Sequence, residues 1–394
     1  MRVLIVGAGI AGPTLAFWLN KAGHEVTIVE HAPELRTGGY LIDFWGAGFD
    51  VAERMGIVPE LRRRGSVFTE ARAVDRNGRR IASFNPSAVM ESVERYVSIP
   101  RTDLADVIFG AIDGEVELLL DDTVRELDDD GERVRVAFES GSTRDFDLVI
   151  GADGLHSRVR RLVFGPDENY EKYLGMVVTA FDAERYPIRD ELIAMMYADV
   201  GFQAIRLSFR GDATLFLFSL RYDGEVPLDR AGQESLLRSQ LSGKGWEVDA
   251  MLELMPVAKN FYFDSVSQIE MPSWSTGRIA LVGDAGACPS FLAGQGSALA
   301  MVEAYTLATE LATTGDHREA FARYERRLAP LVRSKQGAAR GLGLAFAPKN
   351  RFQLFARNAV LRMMSLPKVA DIAVGRSFHD RVELPAFPDR APTR

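Results

Sequence analysis

The sequence predicts an α/β fold in which a nucleotide-binding unit is interrupted by an antiparallel sheet and followed by C-terminal helices. Three observations predict it. The apolar run Arg2–Val6 leads straight into the glycine turn Gly7-Ala8-Gly9-Ile10-Ala11-Gly12 and a helical pattern. Two more glycine turns, at 151–154 and 283–296, each follow a strand pattern. Between them, residues 169–274 alternate with period two, as in Gln203-Ala204-Ile205-Arg206-Leu207-Ser208-Phe209 and Leu215-Phe216-Leu217-Phe218.

The first thirty residues read as strand, glycine turn, helix, strand, acid, the order of a dinucleotide-binding βαβ unit. Gly7 permits the tight turn, Gly9 lets a pyrophosphate approach the backbone, and Gly12 lets the helix pack on the strand. Pro13 suits the first helical turn. The N–H groups around Ile10 and Ala11 and the positive dipole end face the phosphates. Glu30, ending the second strand with His31 beside it, can accept ribose hydroxyls. An acid there disfavours a 2′-phosphate, so the unit suits FAD or NAD.

The loop after Glu30 carries Arg36 and Gly38-Gly39. Ala47 to Met55 is expected helical, stopping at Gly56. Phe68 to Phe84 predicts a hairpin around Asn77-Gly78. Arg101-Thr102-Asp103 opens a helix with Thr102 as its N-cap. Val116 to Phe138 is strand-rich around the acidic turn 128–131. Asp145 to Ile150 is a buried strand ending in Gly151-Ala152-Asp153-Gly154, where Asp153 is expected to pair with Arg158 and Arg160. Residues 169–274 are expected to be sheet, turning at Gly211-Asp212. Arg278 to Val282 ends in Gly283-Asp284, whose carboxylate can take ribityl or ribose hydroxyls. Gly294, Gly296 and Ser297 open a long helix and a second positive dipole end. The expected organisation is therefore a split nucleotide domain (1–168 and 275–335), a substrate-binding sheet domain (169–274) and a helical segment (336–394) packing across both. A pocket at their interface is the expected ligand site.

Composition narrows the function classes. A formal charge of −8 gives no footprint for nucleic acid. The single cysteine, Cys288, permits no internal disulfide, and the first strand begins at residue 2, so a reducing cytoplasm is the expected location. No run is of membrane-spanning length. The five histidines lack metal-ligand spacing, so no metal is expected.

With these motifs in view, the chain resembles the class A flavoprotein monooxygenases of the para-hydroxybenzoate hydroxylase fold over nearly its whole length. GAGIAG with Glu30 matches that family's first FAD fingerprint, and Arg36 resembles the arginine that follows the acid. GADGLHSRVR matches its DG motif, and RIALVGDAGACPSFLAGQG its GD motif. Arg101 stands where the family places an arginine near the flavin. Length and domain order are closest to compact members acting on polycyclic compounds, including tetracycline-modifying and polyketide-tailoring hydroxylases. The chain departs from the family at Ala287, where a histidine is usual, and at Ser290-Phe291, where Pro-Pro is usual.

The resemblance implies a Rossmann-like FAD-binding domain and a hydroxylase: NAD(P)H reduces FAD, O₂ adds to give a flavin hydroperoxide, and a mid-sized apolar aromatic or polycyclic compound is oxygenated. Antibiotic modification or biosynthesis is the implied setting. NADPH or NADH docks transiently, and no catalytic acid or base is assignable. Two rivals stand beside it: a flavin reductase or dehydrogenase on the same scaffold, and a non-catalytic protein that sequesters the ring compound. Substrate, oxygenated position, nicotinamide preference and the choice of monomer or homodimer are not readable. For the substrate pocket the candidates are Arg206, Ser208, Phe216, Phe218 and Phe291, with ordinary core packing as the competing reading. Met195-Met196-Tyr197 reads as core or an adaptable wall. Cys288 reads as an inert thiol and His156 as a surface or packing residue. The segment 349–374 reads as a helix packing on the domains, or as a basic amphipathic helix on a membrane surface.

Overall fold

The computed structural model describes residues 1–35, 40–86, 95–184, 186–187, 190–210, 213–365 and 382–388, and only the backbone of Leu344. Arg36, Gly38-Gly39, the Gly211-Asp212 turn and the stretch 366–374 lie outside the described residues.

Two sheets organise the chain. The nucleotide sheet has six strands, in the order Ser275–Thr276, Ile279–Leu281, Leu148–Gly151, Arg2–Val6, Glu25–Val29, Glu117–Leu119. All pair in parallel except the Ser275–Thr276 edge. Its central strands are apolar on both faces because both faces are covered. On one side lie the helices Ala11–Lys21 and Gly296–Thr313, through Leu15, Leu19, Met301 and Leu307. On the other lies a three-stranded sheet contributing Val124, Val136 and Phe138.

The broad sheet has seven strands, in the order Phe261–Ile269, Glu171–Glu184, Ala213–Arg221, Phe202–Ser208, Ile193–Asp199, Glu70–Val74, Arg80–Phe84. The last two correct the expected boundary at 168. The hairpin around Gly78 (φ +76°) forms as predicted, but it extends the broad sheet by pairing Ile193↔Glu70 through Tyr197↔Val74. A hairpin's two strands are legible from its turn. The edge it joins is a long-range choice.

A second correction concerns 169–274, which is not all sheet. Helices Arg230–Leu241 and Val248–Leu254 cover one face of the broad sheet through Leu237, Leu241, Val248 and Met251. Asp229 caps the first by accepting the N–H of Gly232 at 2.9 Å. Leu237 and Leu241 at i, i+4 were the overlooked signal.

A third concerns Thr102. The helix Arg101–Gly110 begins two residues earlier, with Pro100 as N-cap, and the Arg101 N–H donates to the Tyr40 carbonyl at 3.0 Å. Thr102 therefore sits inside the first turn, and its buried hydroxyl has no partner among the described residues.

The C-terminal elements bridge the two sheets. The helix His317–Phe346 is tied to the broad sheet by Gln336, whose Nε2 donates to the Ile269 carbonyl at 2.8 Å, and by Arg221, which donates to the Ala347 carbonyl at 2.6 Å. The helix Arg351–Met364 lies against Arg80–Phe84 and Ile193–Asp199. Residues 382–388 return to the nucleotide side, where Phe387 packs on Trp18 with ring centroids 4.8 Å apart. Among the described residues no helix is long and apolar enough to cross a membrane.

Candidate active site

A cavity of about 1460 Å³ runs from the three glycine turns to the face of the broad sheet opposite the helices of 230–254. That is larger than the roughly 300–1,000 Å³ usual for one drug-sized ligand. It offers room for a dinucleotide and a second molecule.

At the first turn, Gly7 has φ +107°, and a Cβ there would sit 2.6 Å from the Ala152 carbonyl oxygen. A Cβ on Gly12 would sit 2.0 Å from the Gly7 carbonyl oxygen. Both positions therefore require glycine, and the chain passes close to the second turn. The helix behind them begins at Ala11 with no side-chain cap, so Gly9, Ile10 and Ala11 bring uncapped N–H groups to the cavity wall. Glu30 faces the same wall. Its Oε2 accepts the Ala8 N–H at 2.8 Å and its Oε1 the Ala32 N–H at 2.9 Å. Each oxygen keeps a lone pair for a hydroxyl. His31 lines the cavity next to it.

At the second turn, Asp153 and Gly154 line the cavity. Asp153 does not pair with the guanidinium groups of Arg158 and Arg160 as expected. Its carboxylate accepts the Ser157 hydroxyl at 2.5 Å and the backbone N–H groups of Arg158 and Val159 at 2.7 and 3.0 Å. An acid at a helix start satisfies orphan N–H groups there more readily than it reaches side chains beyond them. Arg160 is fully buried and pairs instead with Asp167 at 2.7 Å, while also donating to the carbonyls of Leu155 at 2.7 Å and Ala285 at 2.9 Å, which joins the second turn to the third.

At the third turn, Gly283 has φ +67° and its N–H donates to the buried Glu303 at 2.6 Å. Burial pushes Glu303 up to about 8. Asp284 lines the cavity, raised by burial and partly lowered by Arg101. Arg101 is raised on balance: burial lowers it, but Tyr40, Asp284, Tyr262 and Glu30 outweigh that. Gly294, Gly296 and Ser297 line the cavity where the helix Gly296–Thr313 begins, again with no side-chain cap. Beside them the buried Nε2 of Gln295 has no partner among the described residues. Uncapped helix starts, an orphaned amide, two glycine cradles and acids placed for hydroxyls suit an extended dinucleotide.

Aromatic residues separate this end from the other. Tyr40 lies tilted against Tyr262 at 4.8 Å and edge-on to Phe291 at 5.9 Å, centroid to centroid. Tyr262 donates to one oxygen of Asp264 at 3.3 Å, and the other oxygen of that acid meets His156 at 3.0 Å. The pairing with Asp264 raises the His156 pKa. Cys288 is buried at the wall, its thiol pushed well above the usual range by burial and then by Asp284, which leaves it protonated and inert. Ala287 is packed in the core.

Of the ring-pocket candidates, Phe291 lines the cavity and the other four do not. Residues two apart share a strand face. Phe202, Ala204, Phe216 and Phe218 belong to the core beneath the two helices of 230–254. Arg206 is 3% exposed and donates from Nη1 to both Glu247 oxygens at 2.5–2.6 Å. Ser208, on the same parity, is fully buried. The helices missed in the sequence fixed which parity faces them, and the cavity received the other: Gln203, Ile205, Leu207 and Leu217. Met195-Met196-Tyr197 divides likewise, with Met196 on the cavity and Met195 and Tyr197 in the core. The helix Arg351–Met364 closes this end with Gln353, Arg357, Leu361 and Met364. It leaves Phe352 and Phe355 exposed outside.

Residues 1–334 match the family described as FAD binding domain. A flavin-dependent monooxygenase from an unidentified prokaryotic organism is 38% identical over 339 residues, covering 85% of this chain and 87% of that protein. The crystal structure of the tetracycline destructase Tet(55) superposes with a TM-score of 0.82 at 33% identity, covering 98% of each chain. HpxO from Klebsiella pneumoniae, complexed with FAD and uric acid, shares the fold with a TM-score of 0.80 at 23% identity, covering 96% of each chain.

Proposed function

This chain belongs to the FAD binding domain family of class A flavin monooxygenases, and from that premise we propose that it uses NAD(P)H and O₂ to hydroxylate a mid-sized, largely apolar ring compound. The observation that carries the reading is the continuity of one cavity from the three glycine turns to the apolar face of the broad sheet. The likeness to a tetracycline destructase supports a polycyclic substrate.

FAD is the cofactor. The proposed contacts follow the wall in order. Gly7, Gly9 and Gly12, with the N–H groups of Ile10 and Ala11, take the pyrophosphate. Glu30 accepts ribose hydroxyls, with His31 beside it. Asp153 and Gly154 shape the wall opposite, and Asp284 accepts ribityl hydroxyls. The start of Gly296–Thr313, with Gly294, Gly296 and Ser297, holds negative charge that forms on the ring system, and Arg101 adds a fixed positive charge. Arg36 keeps its expected role in this proposal. When bound, FAD supplies hydride acceptance and oxygen activation. The chain's own residues orient the ring between Phe291 and the strand face of Gln203, Ile205 and Leu207, and keep water out. In this division, residues 1–168 and 275–335 serve the cofactor, the 70–84 hairpin joins 169–274 in serving the ring compound, and 336–394 closes the site.

Oxygen uptake coupled to product tests the reading. With FAD, NADPH or NADH and a ring compound that binds, O₂ consumption should rise on addition of the ring and one oxygen atom from ¹⁸O₂ should appear in the product. Nicotinamide oxidation with ring reduction and no incorporated ¹⁸O would favour the reductase reading. Tight ring binding with no nicotinamide oxidation would favour sequestration.

A further inference from the structure

Arg357 lies on the helix Arg351–Met364 and faces the ring end of the cavity. Its Nε donates to the Ala345 carbonyl at 2.7 Å, and its Nη1 reaches the Asn358 side-chain oxygen at 3.2 Å. Both acceptors are neutral. Its Nη2 has no hydrogen bond, and the group forms no ion pair, among the described residues. The other cavity-lining arginines are answered by acids. Arg158 meets Glu139 at 2.5 Å, Arg161 meets Asp167 at 2.9 Å, and Arg101 lies in the field of Asp284 and Glu30.

The surroundings of Arg357 make its isolation costly. Phe84, Ile205, Leu207, Phe346, Leu361 and Met364 line the same part of the cavity. Burial alone lowers its pKa to about 10, with no acid acting in the opposite direction. Arg357 is half-buried, and a cation partly withdrawn from water without a counter-charge carries a cost that an arriving anion recovers. The planar fork of a guanidinium is matched to two oxygens on one carbon, and its remaining N–H groups point to such a partner.

We propose that the ring end selects compounds bearing an anionic oxygen, such as a carboxylate or the ionised oxygen of an enol or phenol, and that Arg357 is the residue that reads it. This substrate class rests on the monooxygenase reading for its meaning, since the same cavity must present the ring to the cofactor. The binding step itself requires no turnover.

The test is calorimetric titration of the FAD-loaded protein at pH 7.5 with two isosteric probes, 2-naphthoate and 2-naphthamide. The wild-type chain should bind the carboxylate about tenfold or more tighter than the amide, the strength of one charge-assisted hydrogen bond. Arg357→Met should abolish that preference and leave 2-naphthamide affinity unchanged within about twofold, which also reports an intact pocket. Arg357→Lys should restore part of the preference, since it returns the charge without the fork. Equal affinities in the wild type, a preference that survives in Arg357→Met, or failure of both probes to bind would each overturn the inference. A chain that takes up no FAD would overturn the monooxygenase reading instead, and the same titration on that chain would still decide the role of Arg357.

Discussion

Arg101 and Arg357 present guanidinium groups to the same cavity under opposite conditions. Arg101 is raised on balance because, although burial lowers it, Tyr40, Asp284, Tyr262 and Glu30 stand around it. Arg357 is lowered by burial, with only a carbonyl and an amide as partners among the described residues. At the glycine-turn end the charged side chain already has acids around it and the open groups are backbone N–H donors and the Gln295 amide, which suits a cofactor held in one place through many turnovers. The ring end is incomplete, which suits selecting a molecule that enters and leaves. The backbone divides the same way: the turn end is fixed by φ and steric limits at Gly7 and Gly12, the ring end by side chains on one parity of a sheet.

The sharpest way to break this comparison is to change neighbours on one strand. Phe216→Ala removes a fully buried ring from the core under the helices and should cost about 3–5 kcal/mol of stability. Ring affinity of the folded fraction should not change. Leu217→Ala, one residue on and facing the cavity, should weaken ring binding with a smaller loss of stability. Denaturant titration with calorimetric binding checks both, and a ring-affinity loss in Phe216→Ala would reverse the assigned parity.

At the other end, Gly12→Ala places a Cβ where the Gly7 carbonyl oxygen lies 2.0 Å away, so the turn must move. A cost of about 2–3 kcal/mol would appear as a weakening of FAD retention by more than about thirtyfold, read by fluorescence titration of the apoprotein. Ring affinity in the apoprotein should be unaltered.

Glu303 sharpens the same comparison through pH. Burial raises it to about 8, so the folded chain favours its protonated form. Its contribution to stability is full below the ordinary 4.5 and is lost as pH rises through about 8. Glu303→Gln should therefore gain on the wild type as pH rises from 5 to 9, by on the order of 4 kcal/mol. Melting temperatures across that range test it, and a constant difference would refute it.

The smallest expected effect is at His156. Its pKa is raised by Asp264, so the pairing is fully present below the ordinary 6.5 and lost as pH rises through the raised value. The side chain is largely exposed, and the effect on stability should be well under 1 kcal/mol. NMR titration should place the His156 pKa above 6.5 in the wild type and lower it in Asp264→Asn.

The two ends also differ in how far they were legible. Glycines at 7 and 12 stand where backbone geometry leaves no other residue type, and Gly9, the acid at 30 and the turns near 153 and 284 follow at the spacings a dinucleotide site requires. Their placement along one wall followed from strand order. The ring end depended on events far apart in the chain. Arg206 and Ile205 look equally eligible until the helices of 230–254 take one face of the sheet. Asp153 serves as a backbone cap and not as a partner for side chains, because the helix it caps starts within its reach. Arg357 was visible only as one cation in a basic, amphipathic segment. Its significance comes from what surrounds it.

The most direct test of the account is anaerobic reduction of the FAD-loaded protein. NADPH or NADH is mixed with it in stopped flow, with and without a panel of ring compounds, and the oxidised flavin absorbance is followed. The account predicts bleaching by a nicotinamide that one ring compound accelerates, because one cavity holds both. Flavin that binds and is reduced by neither nucleotide under any ligand would contradict it.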